Sequence, residues 1–379
     1  MYRISIDRGG TFTDVFAVLP DNRVLTLKLL SSQPSQYADA PFEAIKRILA
    51  ADGRDISKDD SLISSIRMGT TVATNALLEH KGKRLAVALT KGFKDIFRIG
   101  NQSRDNIFEL NISDPFLLYE EVVEVDERVV LQQEKCEIHK KDSVSTVTGL
   151  SGDKINIWQP INRIKLYEDL KRVFNKGIRC LAVALLHSYM YSHHECVVEE
   201  IAKEIGFEHI TLSSKIMPMI RYVPRGMTSI TDAYLTPHIH GYINSFLNNF
   251  SNSFDHRKLL FMQSDGGLTT VDNFSGCRSI LSGPAGGVIG YALTTVEDIG
   301  SEKAIIGFDM GGTSTDVSRY SGRFEHKFES KIAGVVIQYP QLGIFTVLLI
   351  LFIYLYKNWK MFQISKLLLL VEVLGCIFV

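Results

Sequence analysis

The sequence predicts an α/β fold with two similar halves. Between residues 163 and 213 a helix, a strand, a second helix and a second strand follow one another, and this alternation is typical of an α/β layer. In addition, the nine-residue pattern Asp-x-Gly-Gly-Thr-x-Thr-Asp-Val occurs twice, at residues 7–15 and 309–317. Both copies follow a short apolar strand pattern, so we expect each half to offer one hairpin loop.

The bulk composition narrows the class of protein. A chain of 379 residues is long enough for two domains with a sizeable core. Lys plus Arg and Asp plus Glu are equal at 42 each, so no global basic field favours a nucleic-acid partner. The N-terminus lacks the pattern of a signal peptide, and five cysteines without a CxxC pair favour a reducing compartment. We therefore expect a cytoplasmic protein.

The first half has clear element signals. Strand patterns cover residues 2–7, 13–19 and 84–90. A helix is expected over residues 41–51, with Asp39 or Ala40 at its cap and Pro41 in its first turn. The polar stretch 132–153 predicts a surface loop.

The middle of the chain carries the alternating pattern. A helix over 163–176 ends at Gly177, and a buried strand follows over 178–186. Ser192 with Glu195 predicts a capping box for the next helix, which Gly206 ends, and a strand is expected over 209–213.

The pattern breaks at residues 218–224, which predicts a domain boundary. A helix is then expected over 236–250, and strands over 259–263 and 304–309.

The chemistry of the repeated motif suits phosphate. Paired glycines allow backbone N–H groups to point at one anion, and the threonines add hydroxyl donors. Asp7 and Asp309 end their strands, where a carboxylate can hold Mg²⁺ directly or through water. A single such motif is more often a hairpin turn, but a second copy in the same strand–loop–strand setting favours two loops that clamp a triphosphate.

Three further segments, of which 264–267 and 282–287 are glycine-rich, have two interpretations each. Residues 69–75 are either a helix start or part of the substrate side of a cleft. Residues 264–267 favour a plain turn. Residues 282–287 lead into a helix pattern at 288–293, and a loop-to-helix junction of this kind favours a ligand contact.

With these motifs, the sequence resembles the hydantoinase/oxoprolinase family of the actin/hexokinase/Hsp70 ATPase superfamily. The resemblance extends from residue 2 to about residue 342. The segments that carry it are 6–16, 37–41, 66–79, 119–130, 262–268, 282–288 and 307–320.

The resemblance implies two ribonuclease H-like domains that close over ATP and Mg²⁺, the second of them incomplete in this chain. The implied division is residues 1–215 with the first phosphate loop, 225–342 with the second, and 343–379 outside the family pattern. The implied reaction is ATP-dependent hydrolysis of 5-oxo-L-proline to L-glutamate. Full-length members are expected to be homodimers. Another ATPase or kinase of the superfamily, or a non-catalytic, membrane-associated truncated product, remains an alternative.

The resemblance also implies roles for individual residues. Asp7 would hold the metal, and Asp309 would act in catalysis, either in the metal shell or as a general base. The residues expected to bind the nucleotide phosphates are Gly9, Gly10, Thr11, Thr13, Gly311, Gly312, Thr313 and Thr315.

The segment 343–379 departs from the rest. It contains two apolar runs, each shorter than the roughly 20 residues of a membrane span, and Lys357, Lys360 and Glu372 interrupt or follow them. We expect an end that was not selected as structure, and no membrane contact outside this segment. The chain alone is expected to have little or no oxoprolinase activity.

Overall fold

The fold is described from a computed structural model. It covers residues 1–56, 60–101, 108, 110, 116–132, 145–251, 254–300, 304–310 and 314–348. The strands are β1 (Tyr2–Arg8), β2 (Phe12–Val18), β3 (Val24–Leu30), β4 (Ile63–Thr70), β5 (Leu85–Thr90), β6 (Glu121–Val125), β7 (Arg128–Leu131), β8 (Ser145–Thr148), β9 (Lys154–Gln159), β10 (Cys180–Ala184), β11 (His209–Leu212), β12 (Leu259–Met262), β13 (Leu268–Thr270), β14 (Ile305–Met310), β15 (Ser314–Tyr320), β16 (His326–Lys327), β17 (Ser330–Ile332), β18 (Val335–Ile337), β19 (Gln341–Leu342) and β20 (Ile344–Leu348). The helices are α1 (Ala40–Ala51), α2 (Val72–Leu78), α3 (Ile96–Ile99), α4 (Arg163–Asn175), α5 (His193–Ile205), α6 (Ser213–Ile216), α7 (Tyr222–Leu247), α8 (Gly276–Ser279) and α9 (Ser282–Ile299).

A six-stranded sheet in the order β13-β12-β4-β1-β2-β3 positions the first repeated motif. β1, β2 and β3 form an antiparallel meander, whereas β4 runs parallel to both β1 and β12. Ile4 and Ile6 lie on the buried face. Because side chains alternate along a strand, Ser5 and Asp7 lie on the opposite, exposed face. That open face forms one wall of the candidate site.

A second sheet, in the order β11-β10-β5-β6, is parallel throughout. All the residues of β5 and β10 are buried, as expected for strands covered on both faces. The α/β prediction is therefore confirmed, and the predicted strand over 178–186 is β10.

The helix ends show which local signals decided the structure. Asp39 caps α1 as predicted, since its carboxylate accepts a hydrogen bond from the Phe42 N–H at 2.8 Å. The capping box predicted for α5 is wrong, because the Ser192 side chain forms no capping hydrogen bond with the start of the helix. Glu195 instead accepts hydrogen bonds inside the core from the N–H groups of Leu185 and Ser214.

The helix predicted over 236–250 begins earlier, at Tyr222, and contains Pro237. The hydroxyl groups of Thr228 and Ser229 donate to the carbonyls four residues earlier, which lets polar residues lie in a buried helix. Since residues 224–236 of α7 are buried on nearly all sides, the first part of the helix lacks the one-sided apolar pattern that reveals a surface helix.

The predicted loop over 132–153 contains β8, which pairs with β9. Residues 133–144 of that predicted loop lie outside the described residues. β8 contains three Ser and Thr residues, so its composition resembles that of a loop. It is nevertheless a strand, because it pairs with β9.

The second motif forms the antiparallel hairpin β14–β15, and β20 extends it on the β15 side. β20 therefore lies within the segment 343–379, which the sequence analysis placed outside the family pattern. Residues 349–379 of that segment lie outside the described residues. Within the part of the chain that the structure describes, no helix combines the length and apolarity needed to cross a bilayer.

Candidate functional site

The first motif closes a tight turn between β1 and β2. The Gly9 N–H donates a 2.9 Å hydrogen bond to the Phe12 carbonyl. A Cβ atom at Gly9 would lie 2.9 Å from that same oxygen, so only glycine fits here. Ser31 fixes the turn from β3, because its hydroxyl donates to the Gly9 carbonyl at 2.7 Å and its N–H to the Thr11 carbonyl at 2.9 Å. The turn is held rigidly enough to present its backbone to a ligand.

The two motifs form equivalent three-residue rows across their sheets. In the first, Asp7 lies opposite Asp14, which lies opposite Lys28. The Lys28 ammonium donates to both Asp14 oxygens, at 2.8 and 2.9 Å.

In the second row, Asp309 lies opposite Asp316, which lies opposite Thr346. The Thr346 hydroxyl donates to Asp316 at 2.5 Å. The repeat seen in the sequence is therefore a repeat of geometry, and β20 occupies the place of β3.

Charges from both rows affect the pKa of Asp7. The pKa of Asp7 is raised from 3.8 to about 6, first by burial and then by the negative charges of Asp14, Asp309 and Asp316. The positive charge of Lys28 opposes this shift and lowers the pKa of Asp7. Although the Asp7 side chain has an exposed surface, protein surrounds it on most sides, as expected on the floor of an open cleft.

Asp316 shows the same effect, since burial and the charge of Asp309 raise its pKa and the Thr346 hydrogen bond opposes this. Asp7 therefore lies within electrostatic range of carboxylates from both motifs.

Two of these segments, residues 69–75 and 282–287, approach the Asp7 carboxylate. A Cβ atom at Gly69 would lie 3.3 Å from its Oδ1 atom, and one at Gly283 would lie 3.2 Å from the same atom. The two segments also touch each other, because the Thr70 N–H donates to the Ser282 hydroxyl at 3.2 Å. Glycine at both positions leaves room for the Asp7 side chain at the bottom of the cleft.

The structure resolves the alternatives for these segments differently. Residues 69–75 are the end of β4 and the start of α2, and α9 begins at Ser282, earlier than expected. Residues 264–267 are the turn between β12 and β13, as favoured.

A cavity of about 840 Å³ lies on the open face of the six-stranded sheet, beside Asp7. Side chains of β1 to β4 form one wall, and a glycine-rich face of α9 forms the other. Its charged lining residues are Asp7, Asp14, Lys28 and Arg67, and its α9 lining residues are Gly283, Gly286, Gly287, Ile289 and Gly290.

The predicted site residues other than Asp7 separate into four groups. Gly9, Gly10 and Thr11 form the first turn, and within the described residues no acceptor pairs with the N–H groups of Gly10 and Thr11. Thr13 is buried, and its hydroxyl bonds to that of Ser31 at 3.0 Å, so it supports the turn from the core side. Asp309 and Thr315 lie on the second hairpin. Gly311, Gly312 and Thr313 lie outside the described residues.

Sequence reasoning did not name Asp14, Asp316 or Lys28 as site residues. The two aspartates are part of the repeated motif, so their recurrence was an available signal. Lys28 carries no motif signal, because only the pairing of β3 with β2 brings it to Asp14.

The carboxylates fit a hard divalent cation that keeps part of its water shell. Among the residues described here, no three His, Cys, Asp or Glu side chains come close enough together to enclose a metal. Mg²⁺ commonly needs only one or two carboxylates, with water and phosphate oxygens as its other ligands. Asp7 is the residue best placed to supply one.

Comparison with known proteins gives two family matches. Residues 3–206 match the hydantoinase/oxoprolinase N-terminal region, and residues 225–349 match the hydantoinase/oxoprolinase model that follows it. The chain is 53% identical over 353 residues to 5-oxoprolinase 1 of Arabidopsis thaliana and 52% identical over 364 residues to 5-oxoprolinase of Dictyostelium discoideum. Each alignment covers 91% of this chain but only 27% and 29% of the relative.

Solved structures share the fold. Acetone carboxylase, in a nucleotide-free structure of an ATP-dependent carboxylation system, superposes with a TM-score of 0.71 at 22% identity. The ATP-dependent caprolactamase of Pseudomonas jessenii superposes with a TM-score of 0.69 at 21% identity. Each superposition covers 91% of this chain, and 47% and 48% of the respective neighbour.

Proposed function

The chain belongs to the hydantoinase/oxoprolinase family, and from this we propose that the cleft between its two hairpins binds a magnesium–ATP complex. The observation that carries the proposal is the electrostatic contact of Asp7 with Asp309 and Asp316. Two copies of one glycine–threonine hairpin, if they face each other, would suit a linear triphosphate, which offers anionic oxygens to both sides.

The charge of the cleft favours the metal complex over free ATP. Four carboxylates with Lys28 as a nearby cation leave the site strongly negative. A free triphosphate would be repelled, whereas a divalent cation would relieve the repulsion among the carboxylates and accept the phosphate oxygens. Mg²⁺ would supply charge neutralisation for the phosphates when bound.

The residues of the chain have distinct proposed roles. Asp7 holds the hydrated cation, and the free N–H groups of Gly10 and Thr11 bind phosphate oxygens. Asp309 acts from the second hairpin, on the metal shell or as the base that accepts a proton. Gly311, Gly312 and Thr313 bind phosphate from that side. Thr13 keeps the first turn in position.

For the complete enzyme to which this region corresponds, we propose ATP-dependent opening of the 5-oxo-L-proline ring. The lactam amide is a poor electrophile. Phosphoryl transfer to its oxygen would make the carbon reactive to water, and the products would be L-glutamate, ADP and phosphate. The relatives named 5-oxoprolinase and the neighbour named caprolactamase support a cyclic amide as the substrate. We expect a cytoplasmic protein, and a homodimer for the full-length enzyme.

The nucleotide proposal is tested by calorimetric titration of the chain with Mg–ATP. Wild-type chain should bind Mg–ATP, and binding should need the metal. Asp7→Asn should weaken binding at least tenfold, since a charge-assisted metal contact is lost. Asp272→Asn, at an exposed aspartate outside the cavity lining, is the matched control. Equal affinities for Asp7→Asn and wild type would refute the assignment.

A further inference from the structure

The cavity beside Asp7 contains a cation that the nucleotide proposal does not use. Arg67 lies on β4, where its neighbours across the sheet are Ser5 of β1 and Leu260 of β12. Its side chain is exposed and lines the cavity. In the part of the chain that the structure describes, Arg67 forms no ion pair, whereas Lys28, the other cation of the lining, is held by Asp14.

An arginine in the middle of a sheet, facing a cavity, is suited to bind an anion. Its guanidinium group presents a planar fork of N–H donors that matches the two oxygens of a carboxylate. Ser5, directly opposite in the strand register, adds a hydroxyl group to the same part of the cavity lining.

The opposite wall gives an independent indication that this space is kept open. Gly287 and Gly290 lie inside α9, where glycine is less favourable than alanine. A Cβ atom at either position would meet no heavy atom within 4 Å, so close packing does not explain these glycines. Their shared effect is to leave volume in the cavity that Arg67 lines.

Apolar side chains complete the lining. Met262, Leu268 and Ile289 surround the same space. Beside Asp7, Asp14 and Lys28, the lining therefore offers the guanidinium group of Arg67, the Ser5 hydroxyl group and apolar surface, a combination that suits a small, compact molecule with a single carboxylate.

From this arrangement we propose that Arg67 binds the carboxylate of the cyclic-amide substrate, with Ser5 beside it and the glycine face of α9 making room for the ring. The proposal rests on the proposed function, because it places the acceptor of the phosphoryl group next to Asp7. Arg67 determines which lactams are accepted and takes no part in binding the nucleotide.

The test compares two ligands that differ in the carboxylate alone. Binding of 5-oxo-L-proline and of 2-pyrrolidinone to the full chain is measured by saturation-transfer NMR and calorimetry, with Mg–ATP titrated separately. Arg67→Met should weaken 5-oxo-L-proline binding at least tenfold and leave 2-pyrrolidinone and Mg–ATP unchanged. Arg67→Lys should recover part of the affinity. Arg3→Met, on the same exposed face one row away and outside the cavity lining, is the control.

The outcomes separate this inference from the nucleotide proposal. If Mg–ATP binds but 5-oxo-L-proline does not, or if Arg67→Met leaves its affinity unchanged, the carboxylate site is refuted and the nucleotide cleft stands. If Arg67→Met weakens Mg–ATP to the same degree, Arg67 belongs to the nucleotide site and the inference is wrong. If neither ligand binds, both proposals fail.

A second variant tests the space itself. Gly290→Leu fills the cavity from the α9 side and should abolish 5-oxo-L-proline binding, while Gly290→Ala should raise the melting temperature because alanine favours the helix. A Gly290→Leu chain that melts no lower than wild type and binds the lactam equally well would contradict the proposal.

Discussion

Asp7 and Asp309 occupy the same position in two copies of one hairpin, and the charge of Asp309 raises the pKa of Asp7 across the cleft between them. A repulsion of this kind is unfavourable for the empty protein. A cation bound beside Asp7 would relieve this repulsion.

The Asp7 carboxylate should destabilise the empty fold at neutral pH. Its folded-state pKa of about 6 lies above the ordinary value of 3.8, so the native state binds more protons than the unfolded state between these values. Stability from this group therefore falls as the pH rises from about 4 to about 6 and stays low above that. After allowance for solvent screening, Asp7→Asn should stabilise the chain at pH 7 by on the order of 1 kcal/mol.

This effect is measured by thermal melting of both chains from pH 3.5 to 8. The advantage of Asp7→Asn should disappear near pH 4, where the wild-type carboxyl group is protonated. An advantage that is constant with pH, or an Asp7→Asn chain less stable at pH 7, would show that Asp7 carries no unfavourable charge.

Substitution of the two glycines beside Asp7 should impair ligand binding more than folding. An alanine at Gly283 places a methyl group 3.2 Å from Asp7 Oδ1 and from Thr71 Cγ2, so the carboxylate must move. We expect Gly283→Ala and Gly69→Ala to weaken Mg–ATP binding by roughly tenfold, which corresponds to about 1.4 kcal/mol.

The matched control is Gly241→Ala in α7, where a methyl group meets no heavy atom within 4 Å. It should stabilise the helix by about 1 kcal/mol and leave nucleotide affinity unchanged. If Gly69→Ala and Gly283→Ala both kept wild-type affinity for Mg–ATP, the position of the Asp7 carboxylate would be unimportant for binding.

The buried carboxylate of Glu195 should be essential for the stability of the first half. It accepts hydrogen bonds from the N–H groups of Leu185 and Ser214 and from the Ser213 hydroxyl, at 2.9, 2.8 and 2.6 Å. Glu195→Ala leaves these donors unsatisfied in the core, at a cost of roughly 3 kcal/mol. Urea denaturation followed by circular dichroism measures the loss. Glu204→Ala, exposed on the last turn of the same helix, should change stability by less than about 0.5 kcal/mol.

The chain alone should not release glutamate from 5-oxo-L-proline. It spans only 27–29% of the length of the 5-oxoprolinase relatives, and we expect turnover to need residues from the remaining part of those proteins. A coupled glutamate assay with ATP and Mg²⁺ should give no signal above the no-enzyme control. ATP-dependent and 5-oxoproline-dependent release by the purified chain would overturn this prediction.

The sequence predicted the elements whose signals are local. Asp39 before Pro41 marked the start of α1, and the apolar run at residues 178–186 marked the buried strand β10. The misses have tertiary causes. Glu195 matches a capping box in sequence, but the core donors around it compete more effectively for its carboxylate. The sequence did not reveal the start of α7, because its first part, residues 224–236, is buried on nearly all sides and has no periodic apolar face.

The same distinction applies to the site. The repetition of Asp7 and Asp309 was visible in the sequence, and it led directly to the two hairpins. The approach of Gly283 to Asp7 joins segments more than 200 residues apart, as the Thr70–Ser282 hydrogen bond also does. No local pattern could have paired them. Lys28 likewise depends on the register of β3 against β2.

The most direct test of the account is a double-mutant cycle on Mg–ATP binding. The dissociation constants of wild type, Asp7→Asn, Asp309→Asn and the double variant are measured by calorimetry at pH 7.5. If both hairpins hold one metal–nucleotide complex, the two effects should be non-additive by about 1 kcal/mol or more. Effects that add to within roughly 0.4 kcal/mol would mean that the two aspartates act at independent places, and the shared cleft would not be the nucleotide site.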